Sequence, residues 1–119
     1  MVLLGVHWIF DAHGGSPERL SQVEILRETL VELPRALGLT PVSAPQTHRY
    51  RKGESDLLGG LVLLSESHLS LHLCPEEGAL AGDLFSCKPF DLDVARSFLQ
   101  DRFAFEGIRD STLERCIPG

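Results

Sequence analysis

The sequence lacks several features that define large classes of protein. It has no run near the ~20 apolar residues that a transmembrane helix needs, and Met1–His7 has neither the basic residues nor the long apolar core of a signal peptide. A net charge of −6 leaves little to attract nucleic acid or an anionic membrane. Three cysteines without a Cys-x-x-Cys pair argue against a disulfide framework. We therefore expect a cytoplasmic protein with no membrane or nucleic-acid partner.

The composition is typical of one globular domain. The chain has 119 residues, of which 43% are hydrophobic and 24% are charged, and this is enough to fold around a single core. No internal repeat, low-complexity tract or Pro/Gly-rich linker divides it. We expect a single domain over residues 1–119.

Two helices are predicted from capping signals and apolar spacing. Ser16 followed by Pro17 is a typical helix start, and leucines then recur at three- and four-residue steps. Pro34 is expected to kink or end this helix, and Gly38 to cap it. The second helix is expected to begin after Asp91 and to carry apolar residues as far as Phe103.

The rest of the chain reads mostly as β-strands. Strands are predicted at residues 2–10, 40–50, 60–65, 69–73 and 79–87 and within 105–117, with a charged loop at 51–56. Strands that follow one another as hairpins, with two separate helices, favour an antiparallel sheet covered by helices on one face. The predicted fold class is therefore α+β, as a two-layer sandwich.

Reactive side chains gather around the strand that begins near Leu69. Because side chains alternate along a strand, His68, Ser70 and His72 share one face, and the intervening leucines share the other. Ser67 stands at the start of this strand, and Cys87 ends a later one. The pattern predicts one apolar sheet face and one face that carries imidazoles, a hydroxyl and a thiol.

The residue pattern alone leaves three interpretations open. The polar face can be an ordinary solvent-facing surface. His68, His72 and Cys74 can offer ligands to zinc, although no paired ligand motif follows them. A serine hydrolase is the third interpretation, but no glycine flanks Ser67 as a nucleophile elbow would require. We predict no metal site.

A resemblance to a known family distinguishes between these interpretations. Residues 63–78 read LLSESHLSLHLCPEEG and residues 81–88 read AGDLFSCK, and together they resemble the core of the prokaryotic S-adenosylmethionine decarboxylase proenzymes. The family pattern is roughly S-E-S-H-[LI]-[ST]-I-H-T-W-P-E-x-G followed by A-x-D-x-F-[ST]-C-G. Weaker matches are Gly5-Val6-His7 to the family's G-x-H and residues 47–50 to its F-H-R-F.

The resemblance implies a self-cleaving, pyruvoyl-dependent enzyme. The bond between Glu66 and Ser67 would break without another protein, and Ser67 would become the pyruvoyl cofactor that forms a Schiff base with the substrate. His72 matches the family's processing histidine, and Cys87 matches its proton donor. Glu76, Tyr50 and His68 are expected to bind the substrate.

The resemblance also implies a substrate, a pathway and a partner. The leading expectation is an S-adenosylmethionine decarboxylase of spermidine and polyamine biosynthesis that acts as a homodimer, with active sites between the subunits. One alternative is a pyruvoyl decarboxylase of another amino acid, such as ornithine or arginine. Another is an uncleaved homologue without catalysis.

Three positions depart from the family pattern. Gly59 stands where the family usually has a serine that assists processing, and nearby Ser55 is a candidate replacement. Cys74 stands where tryptophan is near-constant, and this changes a large aromatic surface. Lys88 follows Cys87 where glycine is usual, so a cation is expected beside the thiol.

Overall fold

In residues 1–118, which a computed structural model describes, six strands form one antiparallel sheet. The strands are β1 (Val2–His13), β2 (Gln46–Lys52), β3 (Ser55–Leu64), β4 (Ser67–Cys74), β5 (Ala79–Ser86) and β6 (Gly107–Ile117). The helices are α1 (Pro17–Leu20), α2 (Val23–Ala36) and α3 (Leu92–Phe103), with a 3-10 turn at Pro75–Glu77. The strand order is β2-β3-β4-β5-β1-β6, and neighbouring strands are antiparallel throughout. The predicted α+β fold with an antiparallel sheet is confirmed.

The helices pack on one face of the sheet because that face is apolar. Helix α2 contacts β2, β3, β4 and α3, and α1 contacts both other helices. The core between these layers includes Trp8, Phe10, Leu26, Leu30, Leu33, Leu58, Leu69, Leu71, Leu84, Leu99 and Phe103, each at most 1% exposed. Burial of this apolar surface is the main favourable contribution to folding.

The first predicted helix is divided in the structure. It begins as predicted, since the Ser16 side chain accepts a hydrogen bond from the Arg19 amide and Pro17 opens the first turn. The chain then leaves helical geometry at Gln22, where the hydroxyl of Ser21 and the amide of Gln22 both donate to the Glu18 carbonyl. Such side chain–backbone bonds compete with helix continuation.

The second part, α2, runs to Ala36, so Pro34 lies inside its last turn rather than ending it. Gly38 follows in the left-handed conformation with φ +76°, which agrees with its predicted role at the helix end.

Strand bounds also differ from the predicted ones. Residues 40–45 form a loop with one isolated bridge at Pro41, and β2 starts only at Gln46. Four of the six residues in the predicted loop at 51–56 belong to strands, because β2 and β3 pair up to Lys52 and Ser55. The turn between them contains only Gly53 and Glu54, so charged residues mark a hairpin here rather than a long loop.

The alternation predicted for β4 is confirmed. Its leucines at 69, 71 and 73 are at most 1% exposed, whereas His68 and Ser70 are half-buried and His72 is exposed on the opposite face. We call the face that carries His68, Ser70 and His72, which no helix covers, the open face of the sheet. No helix within residues 1–118 has both the length and the apolar character that a membrane span requires.

Candidate active site

The β3–β4 turn contains the predicted cleavage site and is held in place by hydrogen bonds to another loop. Ser65 and Glu66 form the turn, since Leu64 and Ser67 are the last paired residues of the hairpin. The loop after α2 holds both, because the Thr40 carbonyl accepts from the Ser65 amide at 2.9 Å and the Thr40 amide donates to Glu66 Oε1 at 2.9 Å. The Thr40 amide, and after it the Ser65 hydroxyl, keep the pKa of the Glu66 carboxyl below its ordinary value.

The carbonyl of Glu66 faces β5. It accepts a hydrogen bond from the Cys87 amide with an N–O distance of 3.0 Å, so the thiol-bearing residue lies beside the predicted scissile bond. Ser67 has φ +152°, a sparsely populated value for a residue with a side chain, and such strain costs about 1–3 kcal/mol. The structure therefore brings Glu66, Ser67 and Cys87 together.

A carboxylate that the sequence prediction missed lies at the centre of the polar cluster. Asp83 of β5 accepts hydrogen bonds from three side chains on neighbouring strands. His7 Nε2 lies 2.6 Å and His68 Nε2 lies 2.9 Å from Asp83 Oδ2, and the Ser70 hydroxyl donates to Oδ1. In the sequence, His7 is part of the weak G-x-H resemblance and Asp83 is one position of the A-x-D-x-F segment, and neither pattern indicates that the two side chains meet.

The charge state of this cluster follows from its hydrogen bonds. Burial raises the pKa of the Asp83 carboxyl, but donation by Ser70, His7 and His68 outweighs burial and holds the pKa below its ordinary value. The Arg115 guanidinium, which can only donate, lies 3.4 Å from His7 Nδ1. This contact favours the His7 tautomer that carries its proton on Nε2 and donates it to Asp83.

The same geometry bears on metal binding. Donor atoms of His7, His68 and Asp83 all lie within 4.8 Å of one another, a spacing that a metal ion can bridge. A metal ligand would need an unprotonated Nε2 on His7, and the Arg115 contact favours the opposite tautomer. The arrangement therefore favours a hydrogen-bonded cluster.

His72 and Tyr50 lie at a different place on the open face. Together with His48 they border a cavity of about 220 Å³ next to Gly59. His72 is paired with Gly59 across the β3–β4 ladder. Along β4, His72 is five residues from Ser67, which corresponds to about 16 Å. The predicted processing histidine therefore does not reach the scissile bond of its own chain.

Glu76 lies further still from Ser67, in the 3-10 turn that follows β4. Its Oε1 accepts from the Asp56 amide at 3.3 Å, and it borders a second cavity of about 160 Å³ together with Cys74 and Lys52. The predicted site residues thus form two sets, which we call the cleavage group and the cavity group. The cleavage group contains Glu66, Ser67, His68 and Cys87, and the cavity group contains Tyr50, His72 and Glu76.

The strand geometry excludes two alternatives that the sequence left open. Ser55 cannot replace a serine at position 59, because it is four residues away along β3, about 13 Å. His68 and Cys74 are six residues apart on β4, about 20 Å, so the zinc alternative that combined them with His72 does not form.

Lys88 follows Cys87 as expected, but its ammonium group is already engaged by the backbone. It donates to the Gly38 carbonyl at 2.9 Å. This contact joins the segment after β5 to the loop after α2, and the same loop braces the β3–β4 turn.

Comparison with known proteins identifies the family of the chain. Residues 6–116 match the family described as S-adenosylmethionine decarboxylase. An S-adenosylmethionine decarboxylase proenzyme of Clostridium botulinum (strain Langeland) is 31% identical over 113 residues, 93% of each chain. One from Aquifex aeolicus is 33% identical over 84 residues, which are 71% of this chain and 59% of that relative. The crystal structure of the adenosylmethionine decarboxylase from Aquifex aeolicus superposes with a TM-score of 0.81 and 28% identity, covering 100% of this chain and 96% of that one.

The α+β sandwich, which is shared with a solved adenosylmethionine decarboxylase, and the matched relatives define the class of the chain as a small decarboxylase proenzyme. The chain belongs to the S-adenosylmethionine decarboxylase family. The predicted family and the predicted carboxy-lyase class are confirmed. The roles of the individual site residues stay predictions.

The Asp83 cluster generates a pH prediction. Because the folded-state pKa of Asp83 is lowered, its stabilising contribution is present above the ordinary pKa of 3.8 and is lost as pH falls through the lower folded value. Asp83→Asn should therefore reduce the free energy of unfolding by about 1–3 kcal/mol at pH 7. The deficit relative to wild type should shrink below about pH 4. Urea denaturation at pH 7, 5 and 3 measures both effects.

Asp11 supplies the matched control, since it is an exposed carboxylate on β1. Within residues 1–118 its side chain makes no hydrogen bond, in contrast to that of Asp83. Asp11→Asn should change stability by less than about 0.5 kcal/mol at each pH. Equal losses for the two variants, or a deficit of Asp83→Asn that does not shrink as pH falls below about 4, would contradict the assignment.

Proposed function

We propose that the chain is a pyruvoyl-dependent S-adenosylmethionine decarboxylase that cuts itself between Glu66 and Ser67. The observation that carries this proposal is the hydrogen bond from the Cys87 amide to the Glu66 carbonyl, next to the strained backbone of Ser67. These features prepare one peptide bond for attack and put a thiol beside it.

Self-cleavage needs a nucleophile, a stabilised oxyanion and a proton acceptor. The Ser67 hydroxyl attacks the Glu66 carbonyl carbon, and the peptide C–N bond gives way to an ester as the hydroxyl proton passes to nitrogen. Negative charge that develops on the Glu66 oxygen is stabilised by the Cys87 amide. Loss of the Ser67 α-proton then expels the Glu66 carboxylate, and hydrolysis with release of ammonia leaves the pyruvoyl group on residues 67–119.

The proposal includes a homodimer, because one subunit does not hold a complete site. The cavity group is too far from its own Ser67, so it must act on the Ser67 of a second subunit. The open face also carries exposed apolar side chains at Ile9, Leu61, Leu63 and Leu113, each 46–56% exposed. Two open faces related by a two-fold axis would bury this surface and bring each cleavage group to the other subunit's cavity group.

In the assembled site, each residue has a defined task. A pyruvoyl group at position 67 supplies an electron-withdrawing carbonyl for the loss of CO2 from an amino acid. Cys87 holds the proton that replaces CO2 on the substrate carbon, since its thiol is exposed beside the cut. Tyr50 offers an aromatic face to the adenine or sulfonium group, and Glu76 accepts from ribose hydroxyls. The product would serve spermidine biosynthesis in the cytoplasm.

A second candidate substrate class is favoured by the cavity beside Cys74. Where the family usually has tryptophan, this chain has a small thiol, and Asp56, Glu76 and Glu77 border the space together with Lys52. Three carboxylates suit a cationic side chain better than an adenine ring. A decarboxylase of ornithine or arginine is therefore the alternative.

Labelled CO2 release decides the substrate. Purified protein should convert carboxyl-labelled S-adenosylmethionine with a kcat/KM at least about 100-fold above those for ornithine and arginine, because a site built for one side chain leaves polar groups unpaired with another. Intact mass of the same sample should show two fragments, residues 1–66 and 67–119. A higher value for a basic amino acid selects the second candidate, and a single unmodified 13.1 kDa chain contradicts both.

A mixed dimer tests whether the site is shared between subunits. Ser67→Ala and His72→Ala chains should each stay uncut when expressed alone. When they are co-expressed with different tags, the His72→Ala chain should be cut, because its Ser67 meets His72 of the partner subunit. Gel analysis of tandem-purified dimers measures this. Cleavage of His72→Ala alone, or none in mixed dimers, would exclude the shared arrangement.

Gly59 offers a gain-of-function test of processing. A Cβ at Gly59 would lie 3.5 Å from His72 Nδ1 and 3.7 Å from Tyr50 Cε1, which are ordinary contact distances. Gly59→Ser should therefore fit and give His72 a hydroxyl partner. Self-cleavage measured by pulse-chase should accelerate by about 10-fold. Gly59→Ala fits equally well without the hydroxyl and should not accelerate it; equal rates for both variants would refute the explanation.

A further inference from the structure

Three strands meet at the end of the open face next to the predicted cut. The Cys87 Cα lies 3.0 Å from an ideal Cβ built on Gly5 of β1, and Gly5 pairs with Arg115 of β6. Cys87, Gly5 and Arg115 therefore follow one another across the sheet. Two strand spacings separate the backbones of Cys87 and Arg115, about 10 Å.

Glycine is required in the middle of this row. Gly5 has φ +159°, and a Cβ there would lie 2.5 Å from the Ser86 carbonyl oxygen. No side chain can therefore stand between Cys87 and Arg115 without moving the backbone. The row has a functional group at each end and no side chain in the middle.

The Arg115 side chain points towards the cleavage group. Its guanidinium carbon lies 5.0 Å above the ring of Phe85, and one nitrogen lies 3.4 Å from His7 Nδ1. Phe85 is the cross-strand neighbour of His68, the residue that follows Ser67. Within residues 1–118, no carboxylate lies within ion-pair distance of Arg115. The side chain is thus held in place and retains donors for an anion.

The other positive and negative groups nearby define where an anion can bind. The Lys88 ammonium group is engaged by the Gly38 carbonyl. Asp83, two residues before Phe85 on β5, is negatively charged and would repel a carboxylate. An anion beside Cys87 is therefore attracted towards the Arg115 end of the row.

We propose that Arg115 binds the α-carboxylate of the amino acid substrate and orients it at the site formed by Ser67 and Cys87. The inference rests on the proposed function, because it requires an amino acid to be bound at residue 67. Arg115 would then contribute to the binding of every amino acid substrate. The cavity group would select among these substrates by their side chains. The carboxylate leaves in the reaction, so the product should not need Arg115.

The test compares ligands with and without the carboxylate. On cleaved protein, Arg115→Met should raise the KM for S-adenosylmethionine by about 10-fold or more, with kcat changed by less than about 3-fold. The Kd of decarboxylated S-adenosylmethionine, measured by titration calorimetry, should change by less than about 2-fold. Arg115→Lys keeps the charge and should recover most of the loss in KM.

Arg109 provides the matched control, since it is another arginine on the same face of β6, six residues from Arg115. Arg109→Met should leave both constants unchanged. If Arg115→Met weakens the binding of substrate and product equally, or changes neither, the inference is overturned. Turnover by the wild-type protein would still support the proposed function in that case. A wild-type protein that neither cleaves nor releases CO2 would overturn both.

Discussion

The two-residue alternation of strand β4 is the constraint on which the rest of the structure depends. Its leucines enter the core under the helices, and the same periodicity turns His68, Ser70 and His72 to the opposite side. Packing and chemistry are thereby separated onto two faces of one sheet. A register slip of one residue would exchange the two sets and lose both at once.

The separation of faces also explains why the candidate site is divided. A strand is extended, so two successive residues on the same face, which are two positions apart in sequence, are separated by about 6.6 Å. Ser67 and His72 therefore lie about 16 Å apart, near opposite ends of the same strand. In the proposed dimer, a second sheet related by a two-fold rotation would bring the unlike ends together.

Local signals predicted much of this fold and little of its geometry. The caps at Ser16 and Asp91 and the alternation in β4 are short-range features, and the structure contains each of them. The break at Gln22 depends on side chain–backbone bonds that a leucine repeat does not reveal. The hydrogen bonds of Asp83 join residues up to 76 positions apart in sequence, so they follow from strand order and register, which a single sequence does not specify.

The strand order has a consequence for the chain after a cut at residue 66. The first fragment would contain β1, β2 and β3, and the second would contain β4, β5 and β6. In the sheet, however, β1 lies between β5 and β6. The two pieces would be interleaved through three ladders, so neither could leave without unfolding the sheet. Refolding would change from a unimolecular to a bimolecular reaction, so it would become less favourable on dilution. The cut native state would nevertheless persist in dilute solution, because its unfolding would be slow.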